Sequence, residues 1–251
     1  MQQIPIKSLK RLPDRLIALI VTFRPSANYN PDTYCNERVG NIVNLLVGVQ
    51  EERIFGFLVQ GILDLNVHVG NARSWLRDYW PRTAIRARRD LDQDGLKEVL
   101  RLLFELKQEL SDQAVEEYLS VIVPKYVLRK LEWKFVENGM NDVYVHIEKQ
   151  IAGMQYIWDS SQRQGSNSID AAVWNNLNQE GACYECKLGT AIEQDQIDLL
   201  CCVRYKSDQR IEVGLASFAS ASSIQKRLLN LDVPSFVKII DRNEMFRYWS
   251  L

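Results

Sequence analysis

The chain has 251 residues, of which 46% are apolar and 25% charged, with a formal net charge of -1. This is the composition of an ordinary soluble globular protein, with enough chain for one large domain or two small ones. The near-neutral balance excludes a globally basic chain, so any basic surface must be local.

In chain order, the start Met1-Gln2-Gln3-Ile4-Pro5 lacks the charged and apolar regions of a signal peptide. The apolar runs Leu16 to Phe23 and Ile54 to Leu65 are too short or too interrupted to span a bilayer. The expectation is a cytoplasmic protein with no membrane contact. Leu16 to Phe23 fits a buried strand or a short helix, since periodicity cannot decide so short a run. Pro25 to Pro31 reads as a loop, and Asn36 to Gly48 and Ile54 to Leu65 as helices.

Residues 73 to 89 interleave Arg73, Arg77, Arg82, Arg86, Arg88 and Arg89 with Trp75, Tyr79 and Trp80, and only Asp78 opposes them. Arginine with aromatics suits a surface that tracks phosphates and stacks bases, so Trp75 and Tyr79 join the arginines as candidate nucleic-acid contacts. The alternative is a solvated helix face whose tryptophans belong to the core. Asp90-x-Asp92-x-Asp94-Gly95 looks like the start of a calcium loop, but the twelfth position is Arg101 instead of glutamate. It reads better as the acidic N-terminus of a helix, where it suits the dipole.

Leu96, Val99, Leu103, Leu106 and Leu110 step by three and four, one helix face wide. Such a seam packs inside its own domain or joins two copies as a homodimer. Ser111 or Asp112 can cap a second helix through Tyr118. Pro124 and Asn138-Gly139 break the pattern, which places a domain boundary near residue 136. Asn141 or Asp142 then caps a helix with Ile147, Ile151, Met154 and Trp158 on one face, ending by Gln164-Gly165.

A hairpin follows, with strands Ile169 to Trp174 and Ala182 to Leu188 around Asn175, Asn176, Asn178 and Gly181. Folding the runs symmetrically about that turn sets Asp170 across from Glu185. Cross-strand partners share a face, and Lys187, two residues on, shares it too. Opposed like charges are unfavourable unless something neutralises them. Glu-x-Lys also occurs at Glu105 to Lys107 and Glu132 to Lys134. Both sit in helical patterns, where residues two apart point about 200° from each other. Only at Glu185 to Lys187 does a strand bring the two side chains to one face.

Beyond the hairpin read a helix from about Ala191 to Tyr205, a strand from Arg210 to Phe218, a helix from Ser222 to Asn230 and a strand from Ser235 to Ile240. The five cysteines are odd in number and four lie in apolar surroundings, which argues against a disulfide framework. Cys183 and Cys186 fall on opposite faces of one strand, so they cannot converge on zinc, and buried small hydrophobes is the better reading. His68 and His146 lack metal-ligand spacing.

Gly165-Ser166-Asn167-Ser168-Ile169-Asp170 followed by Cys183-Tyr184-Glu185-Cys186-Lys187 resembles the PD-(D/E)xK nuclease superfamily. The resemblance covers residues 141 to 240. It implies an α/β (α+β) protein whose C-terminal part, 137–251, is a restriction-endonuclease-like αβββαβ core, with one short strand at Arg163 to Ser168. Residues 1–136 are then a largely helical region that binds nucleic acid or senses a signal. The family's metal aspartate falls on Asp170, its acidic metal ligand on Glu185 and its lysine on Lys187. The Cys186 backbone carbonyl is a further ligand, and Glu148 is placed to act from the first core helix. Gln194 and Gln196 are candidate polar auxiliaries. Two departures stand out: Ile169 replaces the proline of the name, and no Gln-x-x-x-Tyr pattern follows, which leaves the substrate open.

The residues suit that chemistry. Mg²⁺, with Mn²⁺ as a substitute, takes a few carboxylates plus waters, lowers the pKa of bound water and holds phosphate oxygens. Lys187 would orient the attacking water and offset charge. The expected function is therefore Mg²⁺-dependent phosphodiester hydrolysis, endo- or exonucleolytic, with DNA favoured over RNA. The alternatives are a catalytically silent assembly module of the same fold and an RNA-cleaving or effector-activated defence nuclease.

Overall fold

A computed structural model describes residues 23–25, 37–67, 91–95, 97–98, 101–102, 105, 115–136, 143–151, 168–175, 180–207 and 209–247. Its helices α1 (Glu37–Val47), α2 (Glu52–Val67) and α3 (Val115–Val136) precede most of the sheet. The sheet strands are β1 (Phe23–Pro25), β2 (Val143–Ile151), β3 (Ser168–Asn175), β4 (Glu180–Lys187), β5 (Ile211–Ser217) and β6 (Lys238–Ile240). Between and after them lie α4 (Gln194–Lys206), α5 (Ala221–Leu228) and α6 (Arg242–Arg247). The protein is thus mixed α/β, and α3-β2-β3-β4-α4-β5 reproduces the αβββαβ order.

The six strands lie side by side in chain order. β1 to β4 pair antiparallel, and β4-β5 and β5-β6 pair parallel. The parallel steps need crossovers, which α4 and α5 supply. One face of the sheet is covered by α3, with α1 and α2 packed on α3 in the same core, and the other face carries α4 and α5. On β4, Ala182, Tyr184 and Cys186 join the first core and Cys183 the second, as period two requires.

The first face owes its cohesion to rings. Phe55 of α2 lies 5.5 Å from Tyr126 of α3, 6.0 Å from Phe218 and 5.6 Å from Phe246, centroid to centroid. Fully burying each such side chain contributes roughly 1.5–3 kcal/mol. The core therefore runs without interruption from the helices before residue 136 into the sheet after it. Arg247 of α6 adds a two-pronged contact to Glu52, at 2.8 and 3.0 Å.

Several predicted elements stand close to their expected bounds: α1, α2, α4, α5, β3, β4 and β5, while β6 occupies only the second half of its expected run. Gly181, expected in the turn, is already inside β4, and α6 was not expected at all. Helical residues at 93–95, 97–98, 101–102 and 105 fall in or beside the leucine-seam region. Asp92 caps their start, its Oδ1 accepting from the Gly95 N–H at 2.8 Å, as an acidic helix N-terminus should.

Two expectations are corrected. Residues 143–151 form a strand, not a helix. Ile147 and Ile151 are four apart, which satisfies a helical face and a strand face equally. Val143, Val145, Ile147 and Ile151 together follow period two, and β-branching favours the strand. Pro124 does not end a helix but sits inside α3. Leu119, Val121 to Val123, Tyr126 to Leu128 and Leu131 are buried almost all round α3, and that packing outweighs the proline's local cost. The separate short strand expected at Arg163 to Ser168 falls mostly outside the described residues; Ser168 itself belongs to β3, and the strand that pairs with the hairpin is β2.

Candidate active site

The β3-β4 hairpin builds the site. Its rungs run from Asn175↔Glu180 to Ala171↔Tyr184, and the next step of this register opposes Asp170 to Glu185. There the ladder stops. β3 stays paired to β2 as far as Ser168, and β4 to β5 as far as Lys187. The two middle strands therefore leave each other while each keeps its outer neighbour, which opens a wedge in the sheet. Asp170 stands at its apex, and its Oδ2 accepts from the Cys186 N–H at 2.7 Å, where a strand carbonyl would otherwise bond. The N–H and C=O of one strand residue point to the same edge. The Cys186 carbonyl consequently faces the wedge as well.

Glu185 is only 3% exposed, and its Oε1 has no hydrogen-bond partner. Its Oε2 lies 3.8 Å from Lys187 Nζ. Burial raises the Asp170 carboxyl above its ordinary range, against the pull of the Lys187 charge and the Cys186 N–H. Glu185 is raised well above its range, first by burial and then by the charge of Asp170. An orphaned buried carboxylate oxygen is costly, because it forfeits water without replacing it. A divalent cation would remove both the like-charge penalty and the orphan.

The donor set fits a hard cation. Asp170, Glu185 and the Cys186 carbonyl offer oxygens only, and Mg²⁺ makes do with one or two carboxylates plus waters. Among the described residues, no third His, Cys, Asp or Glu completes a cluster with them. Cys183, Cys186, Cys201 and Cys202 are buried thiols, and Cys183 and Cys186 belong to opposite cores.

The other expected site residues divide. Glu148 is on β2, not on a helix; between the rungs Ile147↔Ala171 and Lys149↔Ile169 it takes the register position of Asp170. The helix in the family's position is α3, whose described side chains, Leu119 to Leu131, include no carboxylate. Gln194 and Gln196 are engaged structurally. Gln194 accepts from the Asp232 N–H at 2.8 Å and donates to Asp198 at 2.9 Å. Gln196 Oε1 accepts from the Glu193 N–H at 3.0 Å and closes the start of α4. Arg73, Arg77, Arg82, Arg86, Arg88, Arg89, Trp75 and Tyr79 lie outside the described residues.

Two residues of β5 that pair with β4 were missed in the sequence, one on each face of the sheet. Gly214 sits beside Tyr184 on β5, where a Cβ would come within 2.7 Å of the tyrosine ring and 2.8 Å of the Lys238 carbonyl. A side chain at 214 would collide with that ring and with the backbone, so glycine is required there. Ser217 stands on the rung of Lys187 and is 2% exposed. A lone glycine and a lone serine in an apolar run carry no signal of their partners; the β4-β5 register alone reveals them. No helix among the described residues is long and apolar enough to cross a membrane. The chain matches no protein-family model and no curated protein.

Proposed function

We propose that the protein is a Mg²⁺-dependent nuclease that hydrolyses phosphodiester bonds, with DNA as the favoured substrate. One observation carries the reading: a buried Glu185 with an orphaned oxygen, opposed by a half-buried Asp170, lies beside a lysine at the apex of a wedge in the sheet. A structural ion pair explains none of this, because an exposed pair is worth about 0–1 kcal/mol and does not require burial. Asp170, Glu185 and the Cys186 carbonyl would hold the cation, with Glu148 on the adjoining rung of β2. Bound there, Mg²⁺ supplies an acidified water and neutralises phosphate charge. Lys187, partly exposed and on the same face, is placed to orient that water and to offset charge as the leaving oxygen departs. Membership of the PD-(D/E)xK superfamily, a DNA preference and a cytoplasmic location belong to this same proposal.

The test is incubation of purified protein with linear, circular and single-stranded DNA and with RNA, in Mg²⁺ or Mn²⁺ against EDTA. Lys187→Ala is expected to lower cleavage by roughly 10²- to 10⁴-fold with an unchanged melting curve. No cleavage of any substrate, with no Mn²⁺ binding by calorimetry, would leave the catalytically silent assembly module as the better reading. Cleavage confined to RNA would instead select the RNA-cleaving alternative.

A further inference from the structure

We infer that Ser217 is a positioning residue for Lys187, holding the lysine in register with Glu185; its catalytic consequence rests on the nuclease reading above. Past the rung Ala171↔Tyr184, β4 has lost β3 as a ladder partner, so its last residues depend on β5. Lys187 is the final residue of β4, and it faces Ser217 across the β4-β5 pair. The backbone bond that continues this pairing, Phe218 N–H to the Lys187 carbonyl, is long at 3.4 Å.

The Ser217 hydroxyl supplies what that bond lacks. It donates to the Gly189 carbonyl at 2.7 Å and accepts from the Ala219 N–H at 3.0 Å. One oxygen thereby ties the chain leaving β4, two residues after Lys187, to the chain leaving β5. Ser217 itself is buried, so water cannot replace it cheaply. An alanine there would orphan one carbonyl and one N–H and release the segment 188–190. Lys187 Nζ already stands at the long end of ion-pair range from Glu185, so a small outward drift of the strand end would separate them.

Ser217→Ala is compared with Ser217→Thr, which keeps the hydroxyl, and with Ser217→Cys in case the added methyl overpacks. Two readouts are taken on the full chain. In cleavage, Ser217→Ala is expected to lower kcat roughly 10- to 100-fold with KM nearly unchanged, and one hydroxyl- or thiol-bearing variant to recover most of it. In the second, lysines are reductively methylated with ¹³C-formaldehyde, and the Lys187 signal is assigned from its absence in Lys187→Ala. That signal is expected to move in Ser217→Ala while other lysine signals stay. An unmoved Lys187 signal overturns the inference, as does a loss of melting temperature with kcat intact. If the wild-type chain cleaves nothing yet the signal moves, the clamp on Lys187 stands and the nuclease reading falls.

Discussion

The two faces of the sheet obey opposite rules. The face under α1, α2 and α3 is closed by aromatic contacts among Phe55, Tyr126, Phe218 and Phe246. The face under α4 and α5 has an apolar core too, from Cys183 through Val213 and Leu215, but Asp170, Glu185 and Lys187 stand on that side of the strands. There three preferences are broken together: like charges oppose each other, a buried oxygen is orphaned, and a ladder stops early. Breaches of that kind, clustered at one point of an otherwise consistent fold, are what the proposed cation site would account for.

The contrast can be broken from either side. The largest effect on stability is expected from the aromatic face. Phe55→Ala should cost about 3–5 kcal/mol, because it removes contacts to three rings and leaves a cavity where four elements meet. Denaturant unfolding measures it, and a loss under 1.5 kcal/mol or so would mean that the helices contribute little to the sheet's core.

The site face should respond with the opposite sign. In EDTA, Glu185→Gln is expected to raise the melting temperature, by roughly 2–4 °C for each kcal/mol of relieved repulsion and desolvation. The pH dependence follows from the direction of the shifts. Both carboxyls are raised in the folded state. Their contribution to stability is therefore whole below the unfolded carboxylate value, about 4, and is lost as pH rises through the folded values. The advantage of Glu185→Gln should grow from acid toward neutral pH and vanish when Mg²⁺ is added to the wild type. A variant that melts below the wild type at neutral pH in EDTA would show that Glu185 is a structural partner and not a strained ligand.

The smallest effect is expected at the surface. Arg247→Ala removes the contact to Glu52, in which Arg247 is 70% exposed, and should cost less than about 1 kcal/mol. A larger loss in thermal melts would show that α6 depends on this pair rather than on Met245 and the rings for its place.

Much of this was legible in the residues. Period-two runs around a turn-rich segment were enough to register Asp170 against Glu185, because a symmetric hairpin leaves one pairing. The amphipathic spacing of Val39, Ile42, Val43 and Leu46 was enough for α1. Residues 143–151 were misread because spacing by four fits both periods. Pro124 was misread because a helix buried on nearly every side has no polar face to reveal it.

The sequence by itself thus determined the β-β-α-β-α-β run after residue 168 and the meeting of two carboxylates and a lysine, since these follow from local periodicity, whereas the helix and strand that precede them were misassigned. Only the tertiary structure decided that β3 and β4 separate at Asp170, that Glu185 is left with an orphaned oxygen, and that Ser217 stands on the rung of Lys187. Those facts depend on which strands remain paired to distant neighbours and on how completely helices from both ends of the chain exclude water, and neither is encoded in the spacing of adjacent residues.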